Sequence, residues 1–146
     1  MKRRIPRPKR VPTMVAMALN PSYEAAELVA LIALRNGTAT AAQFDVLIDC
    51  RNMLALGANR QNADDIAAVA ELASIAIGNI RDRWTRSGKL GATGDELQAF
   101  HTMIDVSQDF WRRQGGGVFA ECHHKLTAWC NSQGNQRQSV PSITVK

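Results

Sequence analysis

Four times along this chain a helix-capping residue precedes an apolar stripe at 3.6-residue spacing, and that repetition restricts it to a helical fold. The clearest instance is Thr93-Gly94-Asp95-Glu96, a capping box that opens the stripe Leu97, Phe100, Ile104, Ser107 and Trp111. Thr40 with Gln43 repeats the device ahead of Phe44, Leu47, Ile48, Arg51 and Leu54, with Gly57 as the expected stop. Asn62, followed by the first-turn acids Asp64 and Asp65, introduces Ile66, Val69, Ala70, Ala73, Ile77, Ile80 and Trp84, closed by Ser87-Gly88. Asn20-Pro21 reads as a cap with proline at the first helical position. The helix it opens carries Leu28 to Leu34, apolar all round and therefore expected at the centre of the fold, with Asn36-Gly37 as its stop. After the break Gly115-Gly116-Gly117, residues Phe119, Cys122, Leu126, Trp129 and Cys130 supply a fifth helix.

Composition agrees with the periodicity. Hydrophobic residues reach 45% but aromatics only 5%, a balance of Ala, Leu and Ile that favours close-packed helices over strands. Ser142-Ile143-Thr144-Val145 is the one strand candidate, and no internal repeat is present. A chain of 146 residues suits one domain. The expected architecture is all-α, a compact bundle of about five helices over residues 14–131. A basic, Pro-rich, disordered arm precedes it at residues 1–13, and a polar tail follows at residues 132–146.

The arm concentrates the charge. Lys2, Arg3, Arg4, Arg7, Lys9 and Arg10 are six of the 18 basic residues, so 12 cations face 13 acids in residues 11–146, a formal −1. Pro6, Pro8 and Pro12 keep it extended, and like charges lengthen it further. Such a segment is drawn to phosphate of any sequence, or to an acidic protein surface. It holds neither base-reading polar side chains nor stacking aromatics, so sequence readout from it is not expected.

Other clusters have simpler accounts. Arg81, Arg83, Arg86 and Lys89 gather near the end of the third helix, with Arg112-Arg113 at the end of the fourth, a secondary basic patch on paper. Cations at helix C-termini are already worth about 0.3–1 kcal/mol each, and Asp82 and Asp109 lie close by. Cys122-His123-His124 with Cys130 contains metal-capable side chains, but without the paired spacing of a zinc site. Cys50 and Cys122 lie in no nucleophile signature, and the three glycines lack the lysine and hydroxyl residue of a phosphate loop. No catalytic residue, cofactor or metal is expected. Trp84, Trp111 and Trp129 sit on successive stripes as core anchors. A helix-turn-helix is disfavoured by the six residues from Gly57 to Asn62 and by the acidic start of the third helix.

Three cysteines at irregular spacing fit a reducing compartment. The apolar run Met14 to Leu19 has six residues, below the roughly 7–15 of a signal-peptide core. Leu28 to Leu34 is far short of the about 20 residues that span a bilayer. A cytoplasmic protein with no membrane contact is the expectation.

Two segments together carry a resemblance. The opening Lys2-Arg3-Arg4 through Arg7-Pro8-Lys9-Arg10-Val11, and the junction Arg86-Ser87-Gly88-Lys89-Leu90-Gly91-Ala92-Thr93-Gly94-Asp95-Glu96-Leu97, resemble small orphan helical proteins of proteobacterial prophages and plasmids. The resemblance covers about a quarter of the chain and transfers no site residue. It implies a setting in which small non-enzymatic proteins bind host machines, CRISPR effector complexes among them. Two functions are therefore expected. One is a non-catalytic phage or mobile-element protein that binds a host protein or nucleoprotein complex, as an anti-CRISPR inhibitor does. The other is a small DNA-binding accessory or regulatory protein that binds nucleic acid directly through the arm.

Overall fold

The computed structural model describes residues 13–132, with side-chain surroundings from Tyr23 onward, Gly116 excepted. The arm residues Lys2, Arg3, Arg4, Arg7, Lys9 and Arg10 lie outside the described residues, as do residues 133–146 of the tail with their strand candidate.

Five helices follow one another: α1 (Thr13–Asn36), α2 (Ala41–Gln61), α3 (Asp64–Ser87), α4 (Gly94–Arg113) and α5 (Gly116–Ser132). No strand occurs among the described residues, so the expected all-α bundle is the observed one. Both capping boxes form. The Thr40 hydroxyl accepts the Gln43 amide at 3.2 Å and the Gln43 side chain accepts the Thr40 amide at 3.0 Å. Thr93 and Glu96 exchange the same two bonds at 3.3 and 2.8 Å. Gly88 ends α3 in the left-handed region, φ 72°, with its amide on the Trp84 carbonyl.

The stripes converge on one core. Phe44, Leu47, Ile48 and Leu54 of α2 meet Ala73, Ile77 and Ile80 of α3 and Phe100, Met103 and Ile104 of α4, all fully buried. α2 is the central helix and packs against each of the other four; α1 rests on α2, α4 and α5, and α3 on α2 and α4.

Several local expectations are corrected. α1 starts at Thr13 and runs through Asn20-Pro21. Most of the upstream run Met14 to Leu19 is made of good helix formers, and a proline inside a helix interrupts one backbone bond without ending it. α1 is also not central, since one of its faces is open (below). Gly57 does not stop α2. It is buried inside the helix, where an added Cβ would collide with the Phe110 ring and stand 2.9 Å from Trp111 Cη2. The glycine is there for close helix approach. Asn62 is not the cap of α3 but the left-handed C-cap of α2, φ 52°, so only Asn62-Ala63 separates the two helices. Of the three tryptophans, Trp111 is buried, Trp84 half-buried and Trp129 exposed.

Candidate functional site

The residues of the secondary basic patch divide between interior and surface. Arg81 is buried, and loss of water pulls its guanidinium below the ordinary arginine range. Arg83 turns inward and forks onto the Glu96 carboxylate, with a further bond to the Gly91 carbonyl at 3.1 Å. Burial by itself would raise the Glu96 carboxyl; the bonds from Arg83 and Thr93 outweigh it and hold it below the ordinary value. Arg86 and Lys89 remain exposed. At the end of α4, Arg112 reaches Glu24 at 3.2 Å and Arg113 reaches Asp109 at 3.0 Å. Of these six cations, Arg83 and Arg112 join helices and Arg113 pairs within its own helix, while Arg86 and Lys89 stay on the surface.

An unexpected surface lies on α1. Leu28, Val29 and Ile32 are 42%, 56% and 57% exposed, while Ala30, Leu31 and Leu34 on the same helix are buried. Positions 28, 29 and 32 form one contiguous stripe of a helix. It lies on the helix that follows the basic arm in the chain. Leu72 and Ile75 of α3 and Trp129 of α5 are the other large apolar side chains exposed among the described residues, apart from Tyr23.

The second unexpected feature is a pocket of about 320 Å³ between α1, α2, α4 and α5. Its apolar wall includes an aromatic corner. Trp111 and Phe119 meet edge to face at 5.0 Å, and Tyr23 meets Phe119 at 5.5 Å. The Tyr23 hydroxyl lies 2.8 Å from His123 Nε2, and the His123 ring stacks on Phe119. Within this wall sits Glu27, with only 9% of its surface exposed. Burial is the main cause that pushes its carboxyl up to about 7; a bond from the Cys50 thiol draws it partly back, and the nearby Glu24 charge raises it again. Cys50 is in turn held well above the ordinary thiol range, first by burial and then by the Glu27 charge. Gln108 also lines the pocket, and its buried Nε2 has no hydrogen-bond partner among the described residues.

The Cys122, His123, His124 and Cys130 group divides. Cys122 and Cys130 are buried thiols outside any disulfide, while His123 and His124 are exposed. Burial raises the Cys122 thiol. No set of three or more His, Cys, Asp or Glu side chains among the described residues is placed to hold a metal. No helix of the described residues is long and apolar enough to cross a membrane.

Glu27 is the residue the sequence reading missed, and one signal pointed to it. Positions 27, 31 and 34 form a buried stripe at helical spacing, so Glu27 is a carboxylate on a core face. The other acids near it are the kind that solvate helix surfaces. Comparison of the chain with protein-family models, curated proteins and solved structures gives no match.

Proposed function

We propose that this is a non-catalytic binding protein of a phage or other mobile element, acting in the bacterial cytoplasm on a host nucleoprotein complex in the manner of an anti-CRISPR inhibitor. The observation that carries the reading is the exposed stripe Leu28, Val29 and Ile32 on the helix that follows the six arm cations. A partner matching both offers an apolar protein groove beside phosphate or an acidic surface, which is what a nucleoprotein presents. Free duplex offers the phosphate alone, and the competing reading of direct DNA binding rests on the arm alone. The thiols also support a binding role over nucleophilic catalysis: burial raises Cys50 and Cys122, whereas a working thiolate is lowered. The mobile-element setting rests on the resemblance of the opening and of the Arg86–Leu97 junction.

The test is capture from bacterial lysate by full-length protein, with and without nuclease, against Val29→Glu/Ile32→Glu and against a variant with all six arm cations changed to glutamine. Nuclease-resistant capture of a defined complex, lost in Val29→Glu/Ile32→Glu and weakened in the arm variant, is the expected result. Capture that vanishes with nuclease and ignores the α1 substitutions makes the protein a nucleic-acid binder and overturns the proposal.

A further inference from the structure

The outer face of α3 plays no part in that reading. Asp65, Leu72 and Asn79 recur every seven residues along it, and Ala68, Ile75 and Asp82 run beside them, all six exposed. Seven residues fall only about 20° short of two helical turns, so the six form one nearly straight double row, the pattern of a helix that receives another helix. The other faces of α3 pack on α2 and α4, and nothing among the described residues covers the row. We propose that the groove between α3 and α4 docks an amphipathic basic helix of a partner protein, with its apolar residues on Leu72 and Ile75 and its cations at both ends.

The centre of the row is apolar and open. Leu72 is 60% exposed and Ile75 54%, and the groove of about 340 Å³ beside them is lined at its base by the more buried Val69, Ala76 and Ala99. Ala68, one turn before Leu72, adds no bulk, so a second helix can come close. Its apolar side chains would take Leu72 and Ile75 out of water, which is how an amphipathic helix binds a groove.

Charge selects the partner. Of the 13 acids in the chain, Asp64, Asp65, Glu71, Asp82 and Asp95 are the exposed ones that enter no ion pair among the described residues. All five lie on α3 or in the first turn of α4. Asp64 and Asp65 stand at one end of the row, Asp82 and Asp95 at the other, with Leu72 and Ile75 between. Glu71 and Asp82 lie near the guanidinium groups of Arg51 and Arg81, so Asp64, Asp65 and Asp95 are the acids least opposed. No lysine or arginine among the described residues lines the groove. Arg83 is bonded to Glu96, and Arg86 lies one turn beyond Asp82, past the groove. On α4, Asp105 and Asp109 are taken up by His101 and Arg113. An acidic helix would meet like charge at both ends, and a neutral one would leave both ends unmatched.

The spacing sets the partner's length. Asp65 and Asp82 are about 25 Å apart along α3 at a rise of about 1.5 Å per residue, so the partner's two groups of cations are separated by roughly 17 residues.

The experiment is fluorescence anisotropy of the full chain with three labelled helical peptides of about 22 residues. The first carries lysines at both ends and a central leucine stripe. The second has glutamates for the lysines, and the third has serines for the leucines. The first is expected to bind with Kd of about 10–100 µM at low salt, and the other two more than tenfold more weakly. Leu72→Ser/Ile75→Ser should abolish binding of the first peptide. Asp65→Asn/Asp95→Asn should weaken it about three- to tenfold and flatten its salt dependence. All four positions are exposed, and unchanged circular dichroism confirms that the variants fold. Equal binding of the lysine and glutamate peptides, binding that survives Leu72→Ser/Ile75→Ser, or no binding at about 1 mM each overturns the proposal. Two other occupants would also overturn it. Binding that appears only when the six arm cations are changed to glutamine would give the groove to the chain's own arm. Self-association of the chain alone, abolished by Leu72→Ser/Ile75→Ser, would give it to a second copy. Val29→Glu/Ile32→Glu should bind the lysine peptide like the parent, which separates this result from the fate of the α1 docking reading.

Discussion

Glu27→Gln should make the protein more stable at pH 8 and leave it nearly unchanged at pH 4.5. The side chains are almost the same size, so packing is preserved and the comparison isolates ionisation. Glu27 titrates at about 7 in the fold against an ordinary 4.5. At about 1.36 kcal/mol per tenfold change in proton affinity, that displacement is worth about 3 kcal/mol. A carboxyl raised in the fold contributes fully below its unfolded value, and that contribution is lost as pH rises through 4.5 to about 7. Glutamine cannot ionise and escapes the loss, and the bond from the Cys50 thiol to the carboxylate is already contained in the raised value. The net expectation is a gain of about 3 kcal/mol at pH 8, read as a urea midpoint higher by about 1–2 M, and a gain near zero at pH 4.5. Taking the difference between the two proteins at each pH removes the other carboxyl groups from the comparison. A Glu27→Gln protein that is less stable than the parent at pH 8, or a difference that does not vary with pH, would refute the assignment of Glu27 as a desolvated acid.

Three further outcomes are expected. Gly57→Ala should cost about 1–2 kcal/mol by thermal unfolding, because its methyl meets Phe110 and Trp111, whereas Gly78→Ala on open surface of α3 should gain about 0.5–1 kcal/mol; equal signs would contradict the packing. Thr93→Ala should cost about 1 kcal/mol, and Glu96→Gln roughly 1–3 kcal/mol at pH 7, leaving Arg83 without its carboxylate. The Glu96 carboxyl is lowered in the fold, so its contribution is present above the ordinary 4.5 and the penalty of Glu96→Gln should shrink as pH falls below it. Cys50, Cys122 and Cys130 are all buried, so a thiol reagent at pH 8 should label them only as fast as the protein opens, and all three at once in denaturant; rapid labelling of the native chain would contradict the burial.

Helix count and most helix stripes were legible because each signal is local. A capping box is satisfied within three residues, and Thr40 with Gln43 and Thr93 with Glu96 form as read. Gly57 misled because a glycine that ends a helix and one that admits a neighbour's rings look alike until Phe110 and Trp111 are in place. Asn62 misled for a related reason, since the residue tolerates both the N-cap and the left-handed C-cap conformation. The cations at the end of α3 were legible as a group but not as a surface. Whether Arg83 faces solvent depends on Glu96, which comes from the next helix. The pocket was illegible as a site because its walls come from four helices and its one sequence trace is a single glutamate out of place on a core stripe.

That glutamate and the open stripe belong to the same helix, and together they explain why α1 was misread. Residues 27 and 29 are about 200° apart around a helix axis, so Glu27 points into the bundle while Val29 points away from it. With Ala30, Leu31 and Leu34 on the inner side and Leu28, Val29 and Ile32 on the outer, α1 has two apolar faces. A helix apolar all round is one that is covered all round, yet this bundle covers only half. The chain supplies no second cover for the outer face among the described residues. The inner face bears the converse strain. A buried acid costs stability near neutral pH, since an apolar residue there would make a firmer core. Both properties depart from what folding alone favours, and they do so on opposite sides of one helix.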